Sequence, residues 1–233
     1  MTDRRLSSLS VFFPVHNEVG ALGPLVDRAL DVLPGVADRF EVIIVDDGSD
    51  DGSAELAEEL AAKHDPVRVV HHPRNQGYGA ALRSGIASAH HDYIFFTDGD
   101  GQFDLGELSG FVAHLQAADV VIGYRVNRQD NPVRRLYGFL WNMLIRALFR
   151  MSVRDVDCAF KLLPRRPFQE MPLWASGAVI STELLARARK LGLGWVEVGV
   201  HHYPRRAGAS SGGSLRVIGR AFYELWPLYR SLR

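Results

Sequence analysis

Asp98 and Asp100 stand one glycine apart in TDGDGQFD, directly behind the apolar run YIFF. Two carboxylates held that close raise each other's proton affinity unless a cation offsets them. Oxygen ligands of this kind suit Mg²⁺ or Mn²⁺, which keep their remaining positions for water and phosphate oxygens. The plain alternative is an Asp-Gly turn whose side chains cap local amides. Three more polar clusters close apolar runs: Pro14, His16, Asn17 and Glu18 in PVHNE, Asp46, Asp47 and Asp50 in VDDGSDDGS, and Arg74, Gly77 and Gly79 in HHPRNQGYGAALRSG. Carboxylates there would accept from donors such as ribose hydroxyls or the N–H edge of a base. The glycines allow close backbone approach, yet their spacing is neither that of a dinucleotide-binding turn nor that of a P-loop. Four polar ends on one rim favour the metal reading of the aspartate pair.

The elements that must position these residues follow from the apolar pattern. LSVFFPV, FEVIIVDD, VRVVHH, YIFFTDGD and ADVVIGYR read as five strands of a mostly parallel, layered α/β sheet. Helices are expected near 22–33, 53–64, 78–90 and 105–118, the last begun or capped by Asp104. Open parallel sheets bind ligands at the carboxyl ends of their strands, which is where the polar clusters fall. The pattern changes near Asn127. Residues 133–150 form an apolar, aromatic helix whose only charges are arginines, followed by a Pro-rich stretch at 163–172, a helix at 178–190 and a strand at 194–203. The loop PRRAGASSGGS reads as a mobile lid. In the closing segment LRVIGRAFYELWPLYRSLR, Pro227 is expected to kink or end a helix.

Composition sets outer bounds. With 233 residues, 47% hydrophobic and 23% charged, the chain is expected to fold as one domain with a sizeable core. The single cysteine, Cys158, excludes an internal disulfide and a multi-cysteine zinc site. MTDRRLSSLS lacks the apolar core of a signal peptide, and no apolar run is long enough for a span. Net charge is zero, but residues 1–120 carry eight Lys/Arg against 20 Asp/Glu, and residues 121–233 carry 19 against seven. The first part suits cations and the second anions. No helix-turn-helix or finger spacing supports nucleic acid as that anion.

VFFPVHNE, VIIVDDGSDDGS, NQGYGAALRSGI, TDGDGQFD, VIGYR, RDVDCAFKL and VHHYPRRAGAS together resemble the GT-A glycosyltransferases of family 2. Within that family they are similar to the branch of dolichyl-phosphate mannose synthase and bacterial polyprenyl-phosphate glycosyltransferases. The resemblance implies a GT-A fold, a Rossmann-like sheet flanked by helices, with residues 8–126 binding a UDP- or GDP-linked sugar. Residues 127–233 would form an acceptor-side extension that meets an anionic membrane surface. By the same resemblance Asp98, Asp100 and Gln102 hold the metal and the donor diphosphate. Pro14, His16, Glu18, Asp46, Asp47, Gly77 and Gly99 line the nucleotide, and Arg125, Arg135 and Arg206, backed by Gly208 and Ser210, meet phosphates. Asp155, Phe160 and Lys161 match a family segment in which Ala159 replaces a glycine, and Asp157 is able to substitute for Asp155. The lysine that usually follows the serine of the late loop is absent.

The implied reaction is inverting transfer of a sugar to a polyprenyl phosphate, whose ionised oxygen needs no strong base. Transfer to a hydroxyl is the alternative, with Asp155 or Asp157 as base. A nucleotide-sugar-binding protein without catalysis is a third reading. The expected place of work is the cytoplasmic face of the membrane, with segments 133–150 and 215–230 either in peripheral contact with it or packed as ordinary core.

Overall fold

The computed structural model describes residues 5–126, 132–205 and 215–232, with side chains in the two long helices from residues 136 and 219 onward. The elements are β1 (Leu9–Val15), α1 (Val19–Val32), β2 (Phe40–Asp46), α2 (Ser53–Lys63), β3 (Val67–His71), α3 (Tyr78–Ser88), β4 (Tyr93–Phe96) and α4 (Leu108–His114). They continue with β5 (Val120–Val126), α5 (Pro132–Phe149), β6 (Lys161–Pro164), α6 (Arg165–Gln169), α7 (Val179–Lys190), β7 (Trp195–His201) and α8 (Leu215–Leu232). The strands form one sheet in the order β3-β2-β1-β4-β6-β5-β7. All neighbours are parallel except β6, which is antiparallel to both β4 and β5.

Helices cover both faces, which explains why β1 is buried along its whole length and β2 from its second residue on. On one face α1 and α4 contribute Leu22, Val26 and Phe111. On the other, α3, α7 and α8 contribute Leu82, Ile86, Ile180, Leu184 and Leu228. Because β1 lies between β2 and β4, the loops carrying Glu18, Asp46–Asp47 and Asp98–Asp100 leave the sheet side by side.

The five leading strands, the flanking helices and the α/β class agree with the sequence reading, while several details differ. α1 begins at Val19, three residues before the expected start. The expected helix at 105–118 divides into a 3₁₀ turn at Leu105–Glu107 and α4, with the Asp104 carboxylate accepting the Gly106 N–H at 2.8 Å. The Pro-rich stretch at 163–172 overlaps β6 and α6; four residues of KLLP are too few to show a period. Pro227 neither ends nor breaks α8. The carbonyl it deprives of a donor belongs to Tyr223, a residue 81% exposed, so water can supply the missing bond. Of the loop expected to form a lid, residues 206–214 lie outside the described residues.

α3 approaches β1 closely because Gly85 sits on the ring of Phe12, where any Cβ would overlap it. Gly85→Ala is therefore expected to destabilise the protein by about 2 kcal/mol, a drop of roughly 4–8 °C in the melting temperature. Circular dichroism melts of the purified variant check this.

Candidate active site

The rim is built around Gly99, which brings the turn after β4 against β1. A Cβ at Gly99 would lie 2.7 Å from the Pro14 carbonyl oxygen, so only glycine allows this approach. Asp98 and Asp100 flank it. Burial, and then the charge of Asp100, push the Asp98 carboxyl up to about 6, against a hydrogen bond from Tyr78 and the charges of Arg125 and Lys161. Asp100 Oδ1 accepts the Gln102 N–H at 3.0 Å. The Gln102 side-chain amide donates to the Tyr203 carbonyl at 2.8 Å, and the Tyr203 N–H returns a 2.8 Å bond to the Gln102 carbonyl. Gln102 thus ties the loop after β7 to the aspartate turn.

Glu18 stands at the start of α1, its N–H donating to Ser53 Oγ at 2.9 Å. Its Oε1 is ion-paired with Arg205, while the buried Oε2 has no hydrogen-bond partner among the described residues. Burial pushes Glu18 up to about 7; Arg205 opposes this, and Asp100, Asp51 and Asp98 add to it. Arg205 Nη2 also lies 3.7 Å from Asp100 Oδ2. Counting back three positions from Gly208, the arginine of the R-x-x-G-x-S pattern is Arg205, not Arg206. The sequence reading missed Arg205 through that register slip, and it missed Tyr78 because a lone tyrosine between two glycines carries no chemical signal. Arg206, Gly208 and Ser210 lie outside the described residues, as does the side chain of Arg135 in the first turn of α5.

Asp46 and Asp47 are buried and already used by the fold. Asp46 accepts the Ser49 N–H at 3.1 Å and pairs with His71 Nδ1 at 3.0 Å. Burial acts to raise its pKa, but the bonds from Ser49 and His71 outweigh it and hold the carboxyl below its ordinary range. Asp47 accepts from the Gln76 N–H at 2.8 Å and the Gly77 N–H at 2.9 Å, and meets His72 Nδ1 at 2.7 Å. It fastens the turn that opens α3. Gly77 has φ +99°, and a Cβ there would lie 2.6 Å from the Ser176 carbonyl oxygen. His16 is exposed at the mouth.

Beneath the rim, Asp155 takes Arg125 in a two-pronged ion pair, Nε to Oδ2 at 2.7 Å and Nη2 to Oδ1 at 2.8 Å. Lys161 is fully buried and donates to the carbonyls of Val156 and Cys158. Burial lowers its proton affinity, and the charges of Cys158, Asp157, Asp155 and Asp98 work the other way. Asp157 belongs to the same charged layer, acting on Tyr78, Arg125 and Lys161. Ala159 is buried in the core, and its backbone has no positive φ, so a glycine is not required there.

Among the described residues no group of three or more His, Cys, Asp or Glu side chains forms a metal cluster. The aspartate pair nevertheless fits a hard divalent cation: its oxygens are the right donors, and burial together with the charge of Asp100 favours the neutral form of Asp98 in the absence of a cation. The Arg205 guanidinium beside Asp100 partly fills that need.

The sequence profile described as glycosyl transferase family 2 matches residues 10–171. The chain belongs to this family. Among family relatives, it is 33% identical over 226 residues to an undecaprenyl-phosphate 4-deoxy-4-formamido-L-arabinose transferase of Pectobacterium carotovorum, covering 94% of this chain and 67% of that protein. It is 29% identical to a dodecaprenyl-phosphate galacturonate synthase of Rhizobium johnstonii, covering 90% of this chain and 63% of that protein. The chain thus spans about two thirds of the length of these curated relatives. In fold it matches glucosyl-3-phosphoglycerate synthase of Mycobacterium tuberculosis, solved with Mn²⁺ and UDP-glucose, with a TM-score of 0.72 at 21% identity over 97% of this chain and 79% of that one. The GT-A architecture expected from the motifs is therefore present.

The electrostatics predict a pH dependence. An acid whose pKa is raised by folding holds its proton more tightly folded than unfolded; its penalty is absent below its ordinary value and complete above the raised one. For Asp98 that window runs from 3.8 to about 6. In EDTA, Asp98→Asn is expected to be more stable than the parent at pH 8, by on the order of 1 kcal/mol after screening, with the gap closing toward pH 4. Thermal melts across that range measure it.

Proposed function

We propose that this family 2 chain is a metal-dependent sugar transferase. It takes a hexosyl or N-acetylhexosaminyl group from a nucleotide diphosphate sugar, UDP- or GDP-linked, and passes it with inversion to an acceptor oxygen. The observation that carries this reading is the placement of Asp98 and Asp100, one glycine apart, on the strand-end rim beside Glu18 and Arg205. Mg²⁺ or Mn²⁺ held by Asp98 and Asp100 would offset charge growing on the leaving diphosphate. Asp47 fixes the glycine turn beside which the nucleotide would lie, and Glu18 would accept from it. Arg125, oriented by Asp155, and Arg205 would hold phosphate oxygens, where a planar guanidinium gives direction as well as charge. Arg135 and Arg206 are proposed for the same work.

A hydroxyl-bearing acceptor is the reading that the solved neighbours support, since one of them was crystallised with glucosyl-3-phosphoglycerate and UDP. A hydroxyl needs a base near its attacking oxygen. Asp155 gives both oxygens to Arg125, so Asp157 is the better candidate of that pair.

Polyprenyl phosphate is favoured by a different observation and by the names of the curated relatives. α5 and α8 lie together, Trp141 meeting Phe222 edge-on at 5.9 Å, and they expose Tyr137, Phe139, Met143, Phe222, Tyr223 and Trp226. Their basic residues are arginines, and their one acid, Glu224, is buried. Such a face suits the anionic surface of a bilayer, met from the cytoplasmic side. Among the described residues no helix is long and apolar enough to cross a membrane.

Purified protein with Mn²⁺ or Mg²⁺, a panel of labelled nucleotide sugars, and either hydroxyl acceptors or polyprenyl phosphate in vesicles tests the reading. Label on a hydroxyl product supports the first acceptor, label extracted with lipid supports the second, and no transfer or donor hydrolysis across the panel rejects the function. Asp100→Ala is expected to cut metal-dependent turnover on the order of 100-fold with the fold intact by circular dichroism. Unchanged turnover removes Asp100 from the cation site.

A further inference from the structure

The buried carboxylate of Glu224 lies on α8, the helix with the exposed aromatic face, yet it serves the opposite side of that helix. It accepts Ser176 Oγ at 2.9 Å, the N–H groups of Ser176 and Gly177 at 3.4 and 3.1 Å, and Arg220 Nε at 3.1 Å. Just upstream, the buried Glu183 accepts the N–H groups of Trp174 and Ala175 at 3.1 and 2.9 Å. Four consecutive amides of residues 174–177 are thus held by two carboxylates from two helices. A buried carboxylate is costly unless its oxygens are filled in this way.

What that segment does next reaches the rim. The Ser176 carbonyl accepts the Gly79 N–H at 2.9 Å, and the glycine turn at 77–79 rests on the carbonyls of Ala175 and Ser176 so closely that a Cβ on either glycine would overlap them. Arg83 of the same helix donates to the Trp174 and Ala175 carbonyls. The turn held there carries the Gly77 N–H bound by Asp47. A continuous set of hydrogen bonds and close contacts therefore runs from α8 through 174–177 to the strand-end carboxylate of Asp47.

We infer that Glu224 is a positioning residue for the donor site: through Ser176 and Gly177 it sets the glycine turn that Asp47 holds. The inference rests on the reading of that rim as the nucleotide-sugar site. Glu224→Gln keeps the size of the side chain but turns one acceptor into a donor that faces N–H groups, so the segment must shift. Calorimetric titration of the full chain with UDP or GDP in the presence of Mn²⁺, at a temperature where circular dichroism shows both proteins folded, is expected to show a roughly ten-fold weaker Kd in the variant. In turnover, donor KM is expected to rise with kcat changing by no more than about two-fold. Hydrogen exchange without ligand is expected to quicken in peptides covering 76–82 as well as 174–177. Exchange that quickens only in 174–177 and α8, with unchanged Kd, overturns the inference; a parent protein that binds neither nucleotide overturns the donor-site reading beneath it. If Glu224→Gln does not fold, Ser176→Ala removes the hydroxyl's bonds to Glu224 and from Arg220 while keeping both amides, and the same two readouts apply to it.

Discussion

Two carboxylates one residue apart, held at the end of a buried strand, oppose each other, and the protein spends much of its local structure keeping them there. Burial alone would favour neutral Asp98; the adjacent charge of Asp100 strengthens that tendency. The surroundings counter it with Tyr78 as a donor and with the positive charges of Arg125 and Lys161 placed below. Arg205 stands over Glu18 and Asp100 from the other side. A site arranged in this way is unfinished electrostatically, and a divalent cation with a diphosphate would complete it.

Geometry keeps the conflict from relaxing. The turn after β4 cannot withdraw from β1 without losing the contact that only Gly99 permits. The α3 turn is fixed at one side by Asp47 and at the other by residues 174–177. Gln102 and Tyr203 join the aspartate turn to the chain after β7 by two hydrogen bonds, which is why Arg205, two residues on, arrives at the rim. Strand order does the rest, since β2, β1 and β4 are adjacent and their polar ends cannot diverge.

Much of this was legible in the sequence because strand-end clusters and apolar runs are local signals. The runs LSVFFPV and FEVIIVDD announce buried strands, and the Asp-Gly-Asp behind YIFF announces the polar turn that ends β4. β6 was hidden because a four-residue antiparallel strand has no period of its own and takes its place through β4 and β5. Pro227 stands inside α8 without ending it, because whether a proline ends a helix depends on the packing around it, which sequence does not state. The roles of Tyr78, Glu183 and Glu224 are tertiary throughout: each matters through residues that are 8 to 48 positions away, such as Trp174, Ala175 and Ser176 for the two glutamates. Likewise, the bonds that tie Asp46 and Asp47 to His71, His72 and the α3 turn join residues about 25 to 30 positions apart and leave no local signal.

The central claim is that Asp98 and Asp100 form a cation seat. Anomalous scattering from crystals grown with Mn²⁺ and a nucleoside diphosphate tests it most directly. The account predicts one strong manganese peak within coordination distance of an aspartate oxygen of this pair, bridging to the diphosphate. A nucleotide bound at the rim with no such peak, or with manganese seated on other side chains, would contradict it.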